Sequence, residues 1–317
     1  MPKVSVIVTV YGVERYIERC ARSLFEQTLD DMEYIFVDDC SKDSSISVLE
    51  NVITQYPLRK GQVRIVHHEQ NKGVSRARET GVREALGEYI AHCDSDDWVE
   101  PGMYESMYNY AIQNNCDFVK CAHAKTDGKD IRVVCRAKAG KDMSRDIVVR
   151  WALQIKGWDS LWDTLVKHDV YVKSRPEFTD NSMLEDFFLS VQLLCNSEKI
   201  GYIDVPFYNY FVNPTSCCNT SDMASYVKRA TQARVNANWI ISYVKKYVSV
   251  SPKDINTTKW AVKNMLIPIM DDKDNRKIWD DIYPEITYKV LFLTPISWRD
   301  KLRFYSAEFN LYKCFKR

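Results

Sequence analysis

The sequence predicts an α/β protein: a mostly parallel central sheet flanked by helices, with a helical carboxy-terminal region. Three observations predict it. Over the first ~125 residues, short apolar runs alternate with stretches of helical periodicity, the rhythm of βαβ units. Polar residues gather where those runs end, at Thr9–Tyr11, Asp38–Ser41 and Asp94–Asp97, and ligands of parallel α/β sheets bind at the carboxyl ends of strands. From residue ~220 onward the pattern is helical and irregular.

Each element follows from its residues. Val4–Val10 reads as a buried strand, and Tyr16, Ile17, Cys20, Leu24 and Phe25 then recur at helical spacing. Tyr34–Val37 is a second strand, running into Asp38-Asp39. Ile46, Leu49, Val52 and Ile53 mark a helix that Asp43 or Ser44 opens as a cap. Val63–Val66 is a third strand. Ser75 caps a helix through Leu86, and Gly87 ends it. Tyr89–Cys93 is a fourth strand, Pro101 suits the first turn of the next helix, and Phe118–Ala122 is a fifth strand. A polar turn at residues 127–130 leads into a strand over 131–135. Residues 140–200 look helical and aromatic, and strong turns fall at Ser251-Pro252 and Asp271–Asn275.

The organisation expected is a first unit over 1–125, a second region over 126–220 and a helical region over 221–317. Hydrophobic residues at 45%, charged ones at 27% and a formal charge of +1 describe an ordinary globular chain with no global field for nucleic acid. Met1-Pro2-Lys3 is followed directly by VSVIVTV, too short to span a bilayer, and no longer apolar run follows. A cytoplasmic chain is expected. The ten cysteines are scattered without a CxxC pair, so disulfides and zinc are not expected; Cys20, Cys93 and Cys195 read as small buried hydrophobes.

The segment Asp94-Ser95-Asp96-Asp97 carries the strongest chemistry. Carboxylates this close repel one another unless a cation is present, and a hard divalent ion bridging to phosphates supplies one. Its bland reading is a helix cap before Trp98. Asp39 can accept a hydrogen bond from the N3–H of uracil, or belong to an ordinary turn in a segment rich in turn formers. Asn71–Arg78 offers cationic and amide donors at a helix start, where diphosphates are favoured; the alternative is a solvated helix face. Ser182-x-x-Glu185 matches a capping box, which leaves Asp186 without a local duty and makes it the candidate general base. Tyr208–Ser216 mixes aromatics and turn formers, as a mobile flap or a plain turn would. The five histidines form no site of their own.

Taken in order, VSVIVTVYGVERYI, VDDCSKDSS, NKGVSRARETG, YIAHCDSDDW and LEDFFL resemble the family 2 glycosyltransferases, of the nucleotide-diphospho-sugar transferase fold. The likeness is close over 4–125, looser over 160–216, and fades after about 220. It implies that Thr9, Tyr11, Glu14 and Asp39 surround the nucleoside and that Arg78 lies near the diphosphate or donor sugar. By the same resemblance Asp94, with Ser95, contacts the donor, Asp96 holds Mn²⁺ or Mg²⁺, and Asp186 deprotonates the acceptor. Trp162, Glu185, Tyr210 and Ser216 would line the acceptor site or the flap. This chain departs from the family pattern at Cys40, where glycine is usual, at Glu79 for asparagine, at Asp163-Thr164 for Asn-Lys, and at Phe211 for a basic residue.

The function expected is inverting, metal-dependent sugar transfer from a UDP-sugar or other nucleotide-diphosphate sugar to a saccharide or lipid-linked saccharide, in surface polysaccharide synthesis. A sugar nucleotidyltransferase would want a glycine-rich phosphate loop, which residues 9–15 lack, and a signalling receiver domain would end near residue 125. A non-catalytic nucleotide-sugar-binding module would have no use for Asp186. In the tail, Trp298, Leu302, Tyr305, Phe309 and Tyr312 recur at helical spacing among six Lys/Arg. Such a helix lies on the inner face of an anionic membrane, or packs on the catalytic domain or a sister chain.

Overall fold

The computed structural model describes residues 1–129, 132–213, 222–270 and 273–309. Strand β1 (Val4–Val10) is buried on both faces, and its β-branched residues suit a strand covered on both sides. It lies between β2 (Met32–Asp38) and β4 (Tyr89–Asp94), both parallel to it, and β3 (Val63–His67) extends the sheet beyond β2. The helices between them are α1 (Ile17–Phe25), α2 (Ser45–Gln55) and α3 (Val74–Glu84). In α1, Ile17, Cys20, Ala21, Leu24 and Phe25 form the buried stripe that its periodicity predicts. Gly81 lets α3 rest directly on β1, since a Cβ there would come within 2.3 Å of Ile7 Cγ2.

The sheet continues with strands from further along the chain. After a two-residue strand β5 (Trp98–Val99) and helix α4 (Met103–Asn114) come β6 (Phe118–Thr126) and β7 (Arg132–Cys135). Helix α5 (Arg145–Leu153) precedes β8 (Thr164–Lys167), α6 (His168–Ser174), α7 (Glu185–Cys195) and β9 (Ile200–Phe211). The sheet order is β3-β2-β1-β4-β8-β6-β9-β5, with β7 paired to β6. Strand β8 runs antiparallel to both β4 and β6, so β6 and its parallel partner β9 share the direction of β1 to β4. The sheet is therefore mostly parallel, as expected, but it draws strands from both sides of residue 126.

Beyond it, α8 (Met223–Val244), α9 (Pro252–Asn264), α10 (Lys273–Asp281), α11 (Tyr288–Phe292) and α12 (Trp298–Glu308) form a helical layer. Its core holds Ala230, Ala237, Val262, Leu266, Trp279 and Phe304. The layer joins the sheet through α7, where the Phe188 and Trp239 rings lie 4.1 Å apart. The turn expected at Ser251-Pro252 is the start of α9, with Ser251 and Asp254 making a capping box and Pro252 in its first turn. Among the described residues no helix is long and apolar enough to cross a membrane.

Three expectations fail here for identifiable reasons. Ser75 does not cap α3; Gly73 does, at φ 86°, a left-handed conformation that glycine adopts freely. Ser182 does not cap α7: the helix starts at Glu185 after Leu184 at φ 62°, and the Ser182 hydroxyl bonds to Gln232 Oε1 at 3.1 Å. Residues 208–211 are no flap but the end of β9, paired with both β5 and β6.

Candidate active site

The parallel strands end level with one another. Val10 pairs with Asp38 and Thr9 with Asp94, so the carboxyl ends of β1, β2 and β4 put their polar residues on one rim. Arg78, on α3, lies beneath that rim and is only 4% exposed. Its Nη2 meets Asp94 Oδ1 at 2.9 Å, while Nη1 meets Asp186 Oδ1 at 2.5 Å and Glu185 Oε1 at 3.4 Å. The site thus joins β4 to the first turn of α7 through a residue of α3.

One guanidinium faces three carboxylates. Burial raises the Asp186 carboxyl above its ordinary range; Arg78 opposes this, and Asp94 adds repulsion. Glu185 is raised by burial and then by the charge of Asp186, again against Arg78. Arg78 itself is held more firmly protonated than usual: burial opposes this, but Asp186, Asp94 and Glu185 outweigh it. Asp186 Oδ1 makes no hydrogen bond within the described residues, so its contact with Arg78 is an ion pair that leaves lone pairs for another donor.

The DSDD segment divides into a brace and a mouth. Asp97 is buried and accepts from the Tyr208 hydroxyl at 2.7 Å and from the Phe211 N–H at 2.6 Å. Burial, then repulsion from Asp94 and Asp96, pushes its carboxyl well up. The Tyr208 oxygen in turn accepts the Asp94 N–H at 3.1 Å, tying β9 to β4. Asp96 is partly exposed; Asn213 donates to its Oδ2 at 3.0 Å, and Arg19 donates to its carbonyl at 2.7 Å. The Arg19 guanidinium is held 3.8 Å over the Trp98 ring. Burial raises Asp96, and Asp94 adds to the effect against the Asn213 hydrogen bond.

Among the described residues no group of three or more His, Cys, Asp or Glu is placed to enclose a metal ion. Asp94 and Asp96 do present hard oxygen donors amid surplus negative charge. Two carboxylates suit a hard divalent cation that takes the rest of its shell from phosphates and water.

On the side of β8 and β9, the buried Trp162 ring stacks on Tyr208 at 4.5 Å, lies 5.4 Å from Tyr210 and meets the His123 edge at 4.7 Å. Below it Asp163, fully buried, pairs with Lys120 and accepts from His123 at 3.1 Å. Lys120 also donates to Ser160 Oγ at 2.7 Å. Burial opposes ionisation of Asp163, yet Lys120 and His123 hold it below the ordinary range.

On the side of β1 and β2, Thr9 is half-buried at the rim and Tyr11 is 54% exposed. Glu14 accepts the Ser44 N–H at 3.0 Å at the start of α2. Asp39 accepts from His68 Nδ1 at 2.7 Å and from the Lys72 and Gly73 N–H groups at 2.8 Å each. Its carboxylate thereby fixes the loop that leads into α3 and Arg78. Ser95 is buried in the turn after β4. A separate cavity of about 590 Å³, lined by Phe25, Tyr56, Leu58 and Arg59, lies where α1 and α2 end, at the opposite edge of the sheet.

Comparison with known proteins agrees with this geometry. Residues 5–138 match the family model described as glycosyl transferase family 2. EpsH of Bacillus subtilis, named as a glycosyltransferase, is 31% identical over 225 residues, which take in 68% of this chain and 62% of that protein. The chain belongs to the family 2 glycosyltransferases. It spans less than two thirds of the length of the curated relatives EpsH and EpsJ, at 62% and 63%. The fold is that of Staphylococcus aureus TarS, crystallised as residues 1–349 with UDP-GlcNAc, at a TM-score of 0.66 and 15% identity over 99% of this chain and 91% of that one. It is also that of the Pyrobaculum calidifontis mannosyltransferase solved with GDP-Man and Mn²⁺, at 0.58 and 14%, over 100% and 88%.

Within this glycosyltransferase frame, several expected residues do meet: Arg78, Asp94, Asp96, Glu185 and Asp186 form one cluster, with the Trp162 and Tyr210 rings in tilted contact at its side. Two roles change. Glu185 is not a capping residue but a second acid on Arg78, because the chain enters α7 through the left-handed Leu184. Arg78 is covered by carboxylates and does not present an open guanidinium to a diphosphate. Ser216 lies outside the described residues. Thr164 stands where the family pattern has lysine, and Lys120 of β6 supplies an ammonium to Asp163 instead. Tyr208 and Asn213 escaped the sequence reading although they fall in a segment it singled out, because their role depends on β9 entering the sheet beside β5. Arg19 looks in sequence like any exposed helical arginine.

Proposed function

We propose that this glycosyltransferase moves a sugar from a nucleotide-diphosphate donor, a UDP-sugar by preference, to a hydroxyl of a saccharide or lipid-linked saccharide. Inversion at the anomeric carbon, dependence on a divalent cation and a place in surface polysaccharide synthesis belong to the same reading. The observation that carries it is the convergence of Asp94 from the donor side and Glu185-Asp186 from α7 on one buried arginine, beside the half-open Asp96. TarS was solved with UDP-GlcNAc and the mannosyltransferase with GDP-Man and Mn²⁺, which supports donor class and cation alike.

In this mechanism Thr9, Tyr11, Glu14 and Asp39 flank the nucleoside at the rim of β1 and β2. Asp94 and Asp96 would hold a divalent cation, which when bound neutralises charge on the departing diphosphate. Asp186 takes the proton of the acceptor hydroxyl. The oxygen attacks the anomeric carbon as the bond to the diphosphate breaks on the opposite face. Arg78 keeps Asp186 and Asp94 at fixed separation and favours the ionised form of Asp186. Trp162, buried on its Tyr208 stack, backs the acceptor side of the site with an apolar wall.

Titration calorimetry with UDP, with and without Mn²⁺, tests this. Mn²⁺ should strengthen UDP binding to the wild type, and Asp96→Ala should abolish that gain while leaving the melting temperature of the unliganded protein within a few degrees. An undiminished Mn²⁺ effect in the variant would overturn the role of Asp96.

A further inference from the structure

Helix α12 has two apolar faces, and the fold uses only one. Phe304 and Ala307 are buried in the core of the helical layer. On the other side Trp298 is 65% exposed and Leu302 58%, with Tyr305 and Phe309 exposed along the same stripe. The short helix α11 continues the surface with Phe292 at 61% and Leu293 at 67%. The patch is contiguous: Phe292 packs edge-on to Trp298 at 5.6 Å, Tyr288 lies 5.7 Å from Tyr305, and Tyr305 lies 4.7 Å from Phe309. Soluble proteins seldom leave so many large apolar side chains together in water without a partner for them.

Charge identifies the partner. Lys289, Arg299, Lys301 and Arg303 belong to these two helices, and none forms an ion pair among the described residues. The acids beside them are held by hydrogen bonds of their own. Asp300 binds the Ser297 hydroxyl at 2.5 Å at the helix start, and Glu308 accepts the Tyr288 N–H at 2.7 Å. The Lys301 ammonium sits 5.2 Å over Trp298 and 5.6 Å over Phe292, a cation bound to the rim of the aromatic surface. A second copy meeting this face on a two-fold axis would set like charges against each other. Exposed Trp, Tyr and Phe ringed by unpaired Lys and Arg match the boundary of an anionic bilayer, where rings lie among acyl chains and cations meet headgroups.

We propose that the α11–α12 face is a docking surface for anionic lipid bilayers. The assignment stands apart from the sugar-transfer reading and can fail without it. The full chain is sedimented with vesicles of neutral phosphatidylcholine alone or with added phosphatidylglycerol. Phosphatidylglycerol should strengthen binding tenfold or more, and added salt should reverse much of that gain. At about fivefold per cation, replacing Lys289, Arg299 and Arg303 together by Gln should weaken it about 100-fold. Phe292→Ser with Trp298→Ser should weaken it about tenfold or more on both lipids. UDP binding, measured alongside, should be unchanged in both variants, which shows that the fold is intact. No binding of the wild type to anionic vesicles at low salt, or equal binding by the variants, would overturn the proposal. So would a dimer, seen by sedimentation velocity, that the aromatic variant dissolves.

Discussion

Residues 1–126 and residues 132–213 both contribute strands to one sheet, but they reach it by different routes. In the first, β1, β2, β3 and β4 are joined in turn by α1, α2 and α3, and β1, β2 and β4 end in the polar residues that line the rim. In the second, the four-residue β8 inserts between β4 and β6, and β9 runs beside β6 with a bulge near Cys121 and Ala122. The first region is specified by local periodicity and the second by the slots that the first leaves open. The candidate chemistry sits at the join, where Arg78 of the first holds Glu185 and Asp186 of the second.

The sharpest way to test that division is to remove the acid that the second region contributes. Asp186→Asn keeps the shape and removes the base, so sugar transfer should fall by roughly 10²–10⁴-fold, with UDP affinity by calorimetry nearly unchanged. Burial holds the Asp186 carboxyl above its ordinary range. The fraction ionised, and with it the wild-type rate, should therefore fall as pH drops through a value higher than the ~4 of a free aspartate, and the Asn variant should lack this limb. Glu185→Gln should cost far less turnover. Near wild-type transfer by Asp186→Asn would place the base elsewhere and break the comparison.

Arg78→Met attacks the join itself. It leaves Asp94, Glu185 and Asp186 without their shared cation, and stranding buried charge in this way costs about 3–5 kcal/mol. The sign with pH follows from linkage. Without the guanidinium the Glu185 and Asp186 carboxyls rise further above their unfolded values, so the folded state binds more protons than the unfolded chain in that window. The variant should therefore regain stability as pH is lowered, and its deficit should grow as pH rises through neutral. Urea denaturation at two pH values checks both points. A loss below ~1 kcal/mol would mean that the cluster is solvated and that the two regions are not held together there.

What the sequence discloses follows the same boundary. The first four strands, their helices and the DSDD rim are legible because each carries its own local apolar or polar pattern, and the family pattern covers the same stretch. Strands β8 and β9 are too short or too irregular in pattern to announce themselves, and only pairing with β4 and β6 makes them strands. The roles of Tyr208, Asn213 and Lys120 depend on that pairing, so no local signal marks them. Glu185 misleads for a related reason. Ser182-x-x-Glu185 is a sound capping pattern, but Ser182 finds Gln232 on α8, and the backbone turns left-handed at Leu184 to aim both acids at Arg78.

The smallest expected effect concerns backbone strain on either side of the join. Cys40, in the turn after β2, has φ 61°, and Leu184, before α7, has φ 62°. In this region an L-residue pays roughly 1–2 kcal/mol for contact between its Cβ and the backbone. At Cys40 little offsets it. The thiol makes only long sulfur contacts, to the Glu69 carbonyl at 3.6 Å and from Lys42 at 3.3 Å, and sulfur is a weak partner. Cys40→Gly relieves the strain but adds about 0.5–1 kcal/mol of unfolded-state entropy. The net change should be a gain of about 0.5 kcal/mol, seen as a higher urea midpoint with UDP affinity unchanged. Leu184 has the same backbone, but its side chain packs against two cores. Leu184→Gly loses that packing and should destabilise by about 1–2 kcal/mol, with a fall in transfer as Glu185 and Asp186 lose their aim. Backbone and packing effects of opposite sign are thus separated by one pair of variants. If Cys40→Gly instead destabilises, the turn after β2 depends on that side chain and the first region is less locally specified than its strands suggest.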